Sequence, residues 1–130
     1  MKILLDTCTI LIAVSQPEKI TPEACELILR EDSEVCVSAI SCAEIAMASE
    51  RGRIELASHW KIWFRHYISV NDWKCFAIDL KIIEEAYSLP EPFHKDPADR
   101  IIVATARIHS CNLITADKKI LDFPHVNTTW

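Results

Sequence analysis

Short apolar runs alternate with longer mixed segments along the whole chain, and the alternation predicts the elements. Lys2 to Leu5 is apolar and ends in Asp6-Thr7, the pattern of a buried strand whose polar residues emerge at its C-terminal end. Thr9 to Val14 stays apolar and reads as a helix that stops near Ser15-Gln16-Pro17. Thr21-Pro22-Glu23 supplies a cap, a proline and an early acid, so a second helix runs from there to about Glu31. Val35-Cys36-Val37 is a second strand, closed by Ser38. A third helix starts near Ser41 and runs to Arg51, with Gly52 as its C-terminal stop. Glu55 to about Val70 reads as one long helix. Lys74 to Ile78 is a third strand, and Asp79 caps a helix through Ser88 that Leu89-Pro90-Glu91-Pro92 ends. Asp96-Pro97 is an N-cap followed by a proline at the first helical position. The run Ile101 to Ala106 is apolar on nearly every side, so its helix is buried rather than amphipathic and ends near Ser110. Cys111 to Thr115 is a fourth strand, with Asp117 just past its end. Lys118 to Phe123 is a short helix and His125 to Trp130 a last short strand. Strands alternating with helices predict one α/β domain over residues 1–130, a three-layer sandwich with a mainly parallel central sheet of four to five strands.

That architecture gives three acids a common address. Asp6, Glu44 and Asp117 fall near the C-terminal ends of strands one, two and four, where open α/β sheets bind ligands. Asp99 opens the helix that feeds strand four, at the positive end of its dipole. Each acid also has a structural explanation. Asp6 and Thr7 are good N-caps, Ser41-Cys42-Ala43-Glu44 is a formal capping box, and Asp96 and Asp99 have capping-box spacing. Four such acids on one sheet edge are harder to explain by capping alone. Two carboxylates about 4 Å apart repel by roughly 4 kcal/mol at an effective dielectric near 20. Only Arg100 offers a nearby cation. A hard divalent ion relieves the repulsion, and oxygen-only ligands suit Mg²⁺ or Mn²⁺. Metal-assisted phosphodiester hydrolysis is the matching chemistry.

Composition narrows the classes. At 130 residues the chain is one domain with an ordinary soluble balance, half hydrophobic and a quarter charged. A formal net charge of -5 argues against bulk electrostatic binding of nucleic acid but leaves room for a local basic rim. The candidates for that rim are Arg51, Arg53, Lys61, Arg65 and Lys118. Gly52 is the single glycine, so a Gly-rich phosphate loop and a dinucleotide fingerprint are both missing. The six cysteines form no CxxC pair and read as buried free thiols of a reducing compartment. No signal peptide is visible, and no apolar run is long enough to span a bilayer, so a cytoplasmic protein with no membrane partner is expected. Trp60, Trp63, Phe64 and Tyr67 line one broad helix face, as core, as a subunit interface or, less in keeping with such stripes, as a stacking platform for bases.

Four blocks in order resemble the PIN domains, and within them the VapC toxins of bacterial and archaeal toxin–antitoxin pairs. Lys2-Ile3-Leu4-Leu5-Asp6-Thr7 resembles the opening strand and first acid. Val37 to Ile45 resembles the second block, with Glu44 as its acid. Leu89-Pro90, then His94 to Arg100 with Ala104-Thr105-Ala106, resembles the most specific block. Leu113-Ile114-Thr115-Ala116-Asp117 and the closing Thr129-Trp130 resemble the last. Cys8 and Cys42 depart from bulkier or aromatic residues, and Ser110-Cys111-Asn112 makes a turn where a glycine is usual.

The resemblance implies a Mg²⁺-dependent endoribonuclease whose acids are Asp6, Glu44, Asp99 and Asp117. It implies that Asp6 and Asp99 bind metal most directly, and that Glu44 and Asp117 bind metal or orient the attacking water. It gives Thr7 and Thr115 the holding of waters or a phosphate oxygen, and Arg100 a pairing with a carboxylate or with RNA. It further implies a homodimer and a cognate antitoxin laid across a hydrophobic groove. Two other readings stay open. A receiver-type signalling domain also gathers acids at strand ends around Mg²⁺, although Lys118 and Lys119 follow an acid here rather than end a strand. A non-catalytic binding module would keep the fold as an interaction surface.

Overall fold

The computed structural model describes residues 1–130. Five strands form one parallel sheet: β1 (Lys2–Leu5), β2 (Glu34–Ser38), β3 (Lys74–Phe76), β4 (Asn112–Ile114) and β5 (Thr128–Thr129). Their spatial order is β3-β2-β1-β4-β5. The chain builds outward from β1 on one side, then returns and builds outward on the other. Crossover direction reverses between β1 and β4, so the natural crevice opens past the C-terminal ends of those two strands. In register, Leu4 pairs with Cys36 on one side and with Leu113 on the other.

Strand alternation divides the core in two. Ile3, Leu5, Val37 and Ile114 face one layer, made by α1 (Thr7–Ser15), α2 (Pro22–Leu29), α3 (Ala39–Glu50) and α4 (Trp60–Asn71). Leu4, Cys36 and Leu113 face the other, where α6 (Pro97–Ile108) packs. Helices α5 (Leu80–Ala86) and α7 (Lys118–Leu121) complete that side. The three layers follow the sequence pattern, and the sheet is parallel throughout. Ile101 to Ala106 is buried without a break, as the uniformly apolar run requires.

Two helix starts differ from expectation. Helix α3 begins at Ala39, because β2 runs straight into it and Ser38, the last strand residue, also caps it through Ile40 N–H at 3.1 Å. Ser41 is therefore a fully buried helical residue, and the capping box it seemed to share with Glu44 does not form. The long helix expected from Glu55 starts only at Trp60, capped by His59. Within its aromatic stripe, Trp63 and Phe64 are buried while Trp60 and Tyr67 are partly covered by the same core. Trp63 and Phe64 serve the core, while Trp60 and Tyr67 keep part of their surface open. The cysteines are all free, yet Cys8 and Cys75 are exposed rather than buried.

Gly52 ends α3 as expected. At φ +70° it lets Arg53 N–H reach Ala48 O at 2.8 Å and Gly52 N–H reach Ser49 O at 3.1 Å. This pair of bonds is a Schellman closure, and the left-handed residue in it favours glycine.

Candidate active site

A cleft of about 530 Å³ opens where β1 and β4 end, and Asp6, Glu44, Asp99 and Asp117 all line it. Four elements deliver them. Asp6 follows β1 and caps α1, Glu44 lies inside α3, Asp99 sits in the first turn of α6, and Asp117 caps α7. Capping and cleft lining are thus compatible for Asp6 and Asp117, because one carboxyl oxygen serves each cap.

Three of the four acids accept hydrogen bonds from protein donors. Asp6 Oδ1 accepts Thr9 N–H at 2.8 Å, and Oδ2 accepts the Thr115 hydroxyl at 2.5 Å. Thr115 in turn accepts Asp117 N–H at 3.0 Å, so one buried hydroxyl ties the first acid to the last. Thr7 donates its hydroxyl to Glu44 Oε1, which leaves Ser41, 2.9 Å away, to donate to Thr7. Asp117 Oδ1 accepts Lys119 N–H at 2.8 Å. Asp96 Oδ1 accepts Asp99 N–H at 3.0 Å, so Asp96 is the cap of α6 and Asp99 is left to face the cleft.

His94 opens the block that resembles the family most specifically, although the sequence pattern gives it no role at the site. Its Nε2 lies 3.0 Å from Asp99 Oδ2. The contact is at ion-pair distance but lacks hydrogen-bond geometry, so Nε2 is buried with no hydrogen-bond partner and has Asp99 as its polar neighbour.

Of the two threonines and Arg100, Thr7 alone lines the cleft with the acids. Thr115 is fully buried and spends its hydroxyl on Asp6, and Thr7 spends its own on Glu44. Arg100 donates to Ala86 O at 3.0 Å and to Phe93 O at 3.1 Å. It fastens the segment before α6 and does not line the cleft.

The cleft is short of positive charge at its centre. Burial pushes the Asp99 carboxyl up to about 7, helped by Asp96, Asp117, Glu44 and Asp6 in that order. Glu44 is also raised, by burial first, against the opposing pull of the Thr7 hydrogen bond. Partial burial and then the charges of all four acids push the Cys8 thiol up as well, so their fields converge on one spot. Four carboxylates lining one cleft are an all-oxygen donor set, which fits a hard divalent ion. No three His, Cys, Asp or Glu side chains stand close enough to grip one ion together. The fit is therefore to an ion that keeps several waters, as Mg²⁺ does.

A doubly wound parallel sheet with acids gathered past the ends of its two central strands defines the class. The PIN domain model matches residues 3–126, and the chain belongs to that family. It is 32% identical over 130 residues to Ribonuclease VapC22 of Mycobacterium tuberculosis, covering 98% of each chain. Among solved structures it is similar to VapBC2 from Rickettsia felis bound to a promoter DNA fragment, at TM-score 0.73 and 14% identity over 100% and 99% of the two chains. It is also similar to a toxin–antitoxin complex from Klebsiella pneumoniae, at TM-score 0.67 and 20% identity over 98% and 95%. At these identities the solved structures speak to the fold alone.

Proposed function

We propose that this protein is a Mg²⁺-dependent endoribonuclease, the toxin of a toxin–antitoxin pair, with Asp6, Glu44, Asp99 and Asp117 as its acidic site. The observation that carries the reading is the gathering of all four carboxylates on one cleft at the sheet's switch point, with Asp99 titrating near 7. The 32% identity to a VapC ribonuclease along nearly the whole chain supports the substrate class.

Asp6 and Asp99 would hold the ion, with Glu44 and Asp117 reaching it through water. A bound Mg²⁺, for which Mn²⁺ is the natural substitute, supplies charge neutralisation at a phosphoryl oxygen and a more acidic water. The chain's own groups do the rest. Thr115 and Thr9 N–H fix both oxygens of Asp6, so this acid presents one orientation. Glu44 keeps Oε2 free of protein donors and has its pKa raised, which suits it to orient water and accept its proton. His94 keeps Asp99 turned toward the cleft.

The similar structure from Klebsiella pneumoniae is a toxin–antitoxin complex, and a cognate antitoxin is part of the proposal. Its groove is the apolar trough of about 780 Å³ that runs along α4 past Trp60, Phe64 and Ile68. A homodimer in the cytoplasm is the assembly we propose. No helix is long and apolar enough to cross a membrane. The receiver reading loses ground because Lys118 and Lys119 belong to α7, with Lys118 paired to Asp122 at 3.4 Å.

The test is expression of the chain in a host cell without antitoxin, with RNA integrity followed in the same culture. Growth arrest with RNA cleavage is expected, and both should vanish in Asp99→Asn. Arrest with intact RNA would contradict the nuclease reading.

A further inference from the structure

Five of the six arginines are accounted for by position or partner in two groups, and the contrast between the groups is informative. Arg30 pairs with Asp32, Arg107 with Glu85, and Arg100 with two carbonyls. Arg51 and Arg53 make no ion pair, although they line the same cleft as four carboxylates. Both are exposed, with no carboxylate within ion-pair distance, and the Schellman closure at Gly52 fixes the direction in which the chain leaves α3. The helix C-terminus alone would explain a cation at Arg51. It does not explain Arg53, which lies beyond the helix and returns to the same cleft.

Glu44, Ala48 and Arg51 lie on one face of α3, at i, i+4 and i+7. The rise along the helix puts Arg51 about 10 Å from Glu44, at the far end of the cleft from the acids. Between the two ends the wall is apolar: Leu11, Met47 and Ala48 line it, and Met47 is 52% exposed. An exposed methionine in a cleft wall is an adaptable surface for a flat ring.

We propose that Arg51 and Arg53, with the wall of Leu11, Met47 and Ala48, form a nucleotide subsite that takes the residue of single-stranded RNA next to the scissile phosphodiester. The guanidinium groups hold that residue's phosphate, the wall carries its base, and the acids are left for the bond to be cut. This rests on the ribonuclease reading and adds where the strand lies. It also explains how a chain of net charge -5 draws a polyanion to an acidic site: the attraction is local, on one rim.

The experiment measures binding of a labelled, unstructured RNA oligonucleotide to the Asp6→Asn form, in Mg²⁺, over a series of salt concentrations. Arg51→Ala with Arg53→Ala should weaken binding at least tenfold and reduce the slope of log affinity against log salt by about 1.4, at roughly 0.7 per phosphate contact. Lysine at both positions should restore the slope. Met47→Ser should weaken binding with the slope unchanged, as a stacking contact does. Lys19→Ala with Arg30→Ala, two exposed cations outside the cleft lining, serves as the control and should leave the slope unaltered. An unchanged slope in the double alanine variant, in protein that still binds RNA, overturns the subsite and spares the nuclease reading. The same result with loss of antitoxin binding assigns the arginines to the protein partner instead. RNA bound by no form at any salt overturns both readings. Arg53→Ala alone, outside the helix, covers the case in which Arg51→Ala disturbs α3.

Discussion

His94 Nε2 stands 3.0 Å from Asp99 Oδ2, one partner in the loop before α6 and the other in its first turn. The contact turns a carboxylate that burial drives toward protonation into one with a fixed orientation. Outer-shell partners of this kind typically govern metal affinity or activity by 10- to 100-fold. His94→Ala should therefore raise the Mg²⁺ concentration for half-maximal cleavage by about tenfold or more. His94→Gln, which keeps a donor, should recover part of that loss. Equal Mg²⁺ requirements in all three proteins would reduce the contact to packing.

Asp6 and Asp99 should separate in stability. Asp6→Asn removes the acceptor for the Thr115 hydroxyl, which is fully buried and already accepts Asp117 N–H. That proton then lacks a partner, at a cost of about 1 to 3 kcal/mol. Cleavage should be lost as well. Asp99→Asn should lose cleavage without that cost, since its contact to His94 survives in amide form. Urea unfolding of the two variants in the absence of metal decides the matter; equal midpoints would contradict the Thr115 linkage.

Asp96→Ala should behave in the opposite sense to Asp99→Asn. Asp96 caps α6 through Asp99 N–H, and loss of such a cap costs about 1 kcal/mol. Part of the activity should remain. If Asp96→Ala abolishes cleavage at unchanged stability while Asp99→Asn stays active, the ligand has been assigned to the wrong acid.

The raised carboxyl of Asp99 also fixes the sign of a pH effect in metal-free protein. Its pKa is 3.8 as an ordinary group and about 7 in the fold. Between those values the folded chain keeps a proton that the unfolded chain has released. Stability from this group is present in full at the acid end and is lost as pH rises to about 7. The loss is at most about 4 kcal/mol. With EDTA present, Asp99→Asn should therefore gain on the parent protein as pH rises through that window, and Mg²⁺ should stabilise the parent above it. Stability curves that stay parallel from acid to neutral pH would refute the raised carboxyl.

What the sequence revealed and what it hid divide along contact range. Strand β1, the buried α6, the Asp96-Pro97 start and the Gly52 stop were all legible, because periodicity and capping act within a turn or two. The start of α3 was misplaced because Ser38 serves strand and helix at once, and no local signal separates the roles. The four acids were legible through their positions after strands and through the four blocks that resemble the family. Their partners were not. Thr115 meets Asp6 across 109 residues of chain, and Thr7 meets Ser41 and Glu44 across 34 and 37. Such hydrogen bonds depend on which strands become neighbours and leave no period to read. His94 is only five residues from Asp99 and opens the same family-like block, yet its spacing did not show that it would meet that carboxylate.

The most direct test of the central claim is RNA cleavage by purified protein as a function of free Mg²⁺. Stripped of metal with EDTA, the protein should leave a single-stranded RNA intact, and added Mg²⁺ or Mn²⁺ should restore cleavage. Asp99→Asn should stay inactive at every metal concentration. Cleavage that survives chelation, or that Asp99→Asn performs at the parent rate, would contradict a metal site built from these four carboxylates.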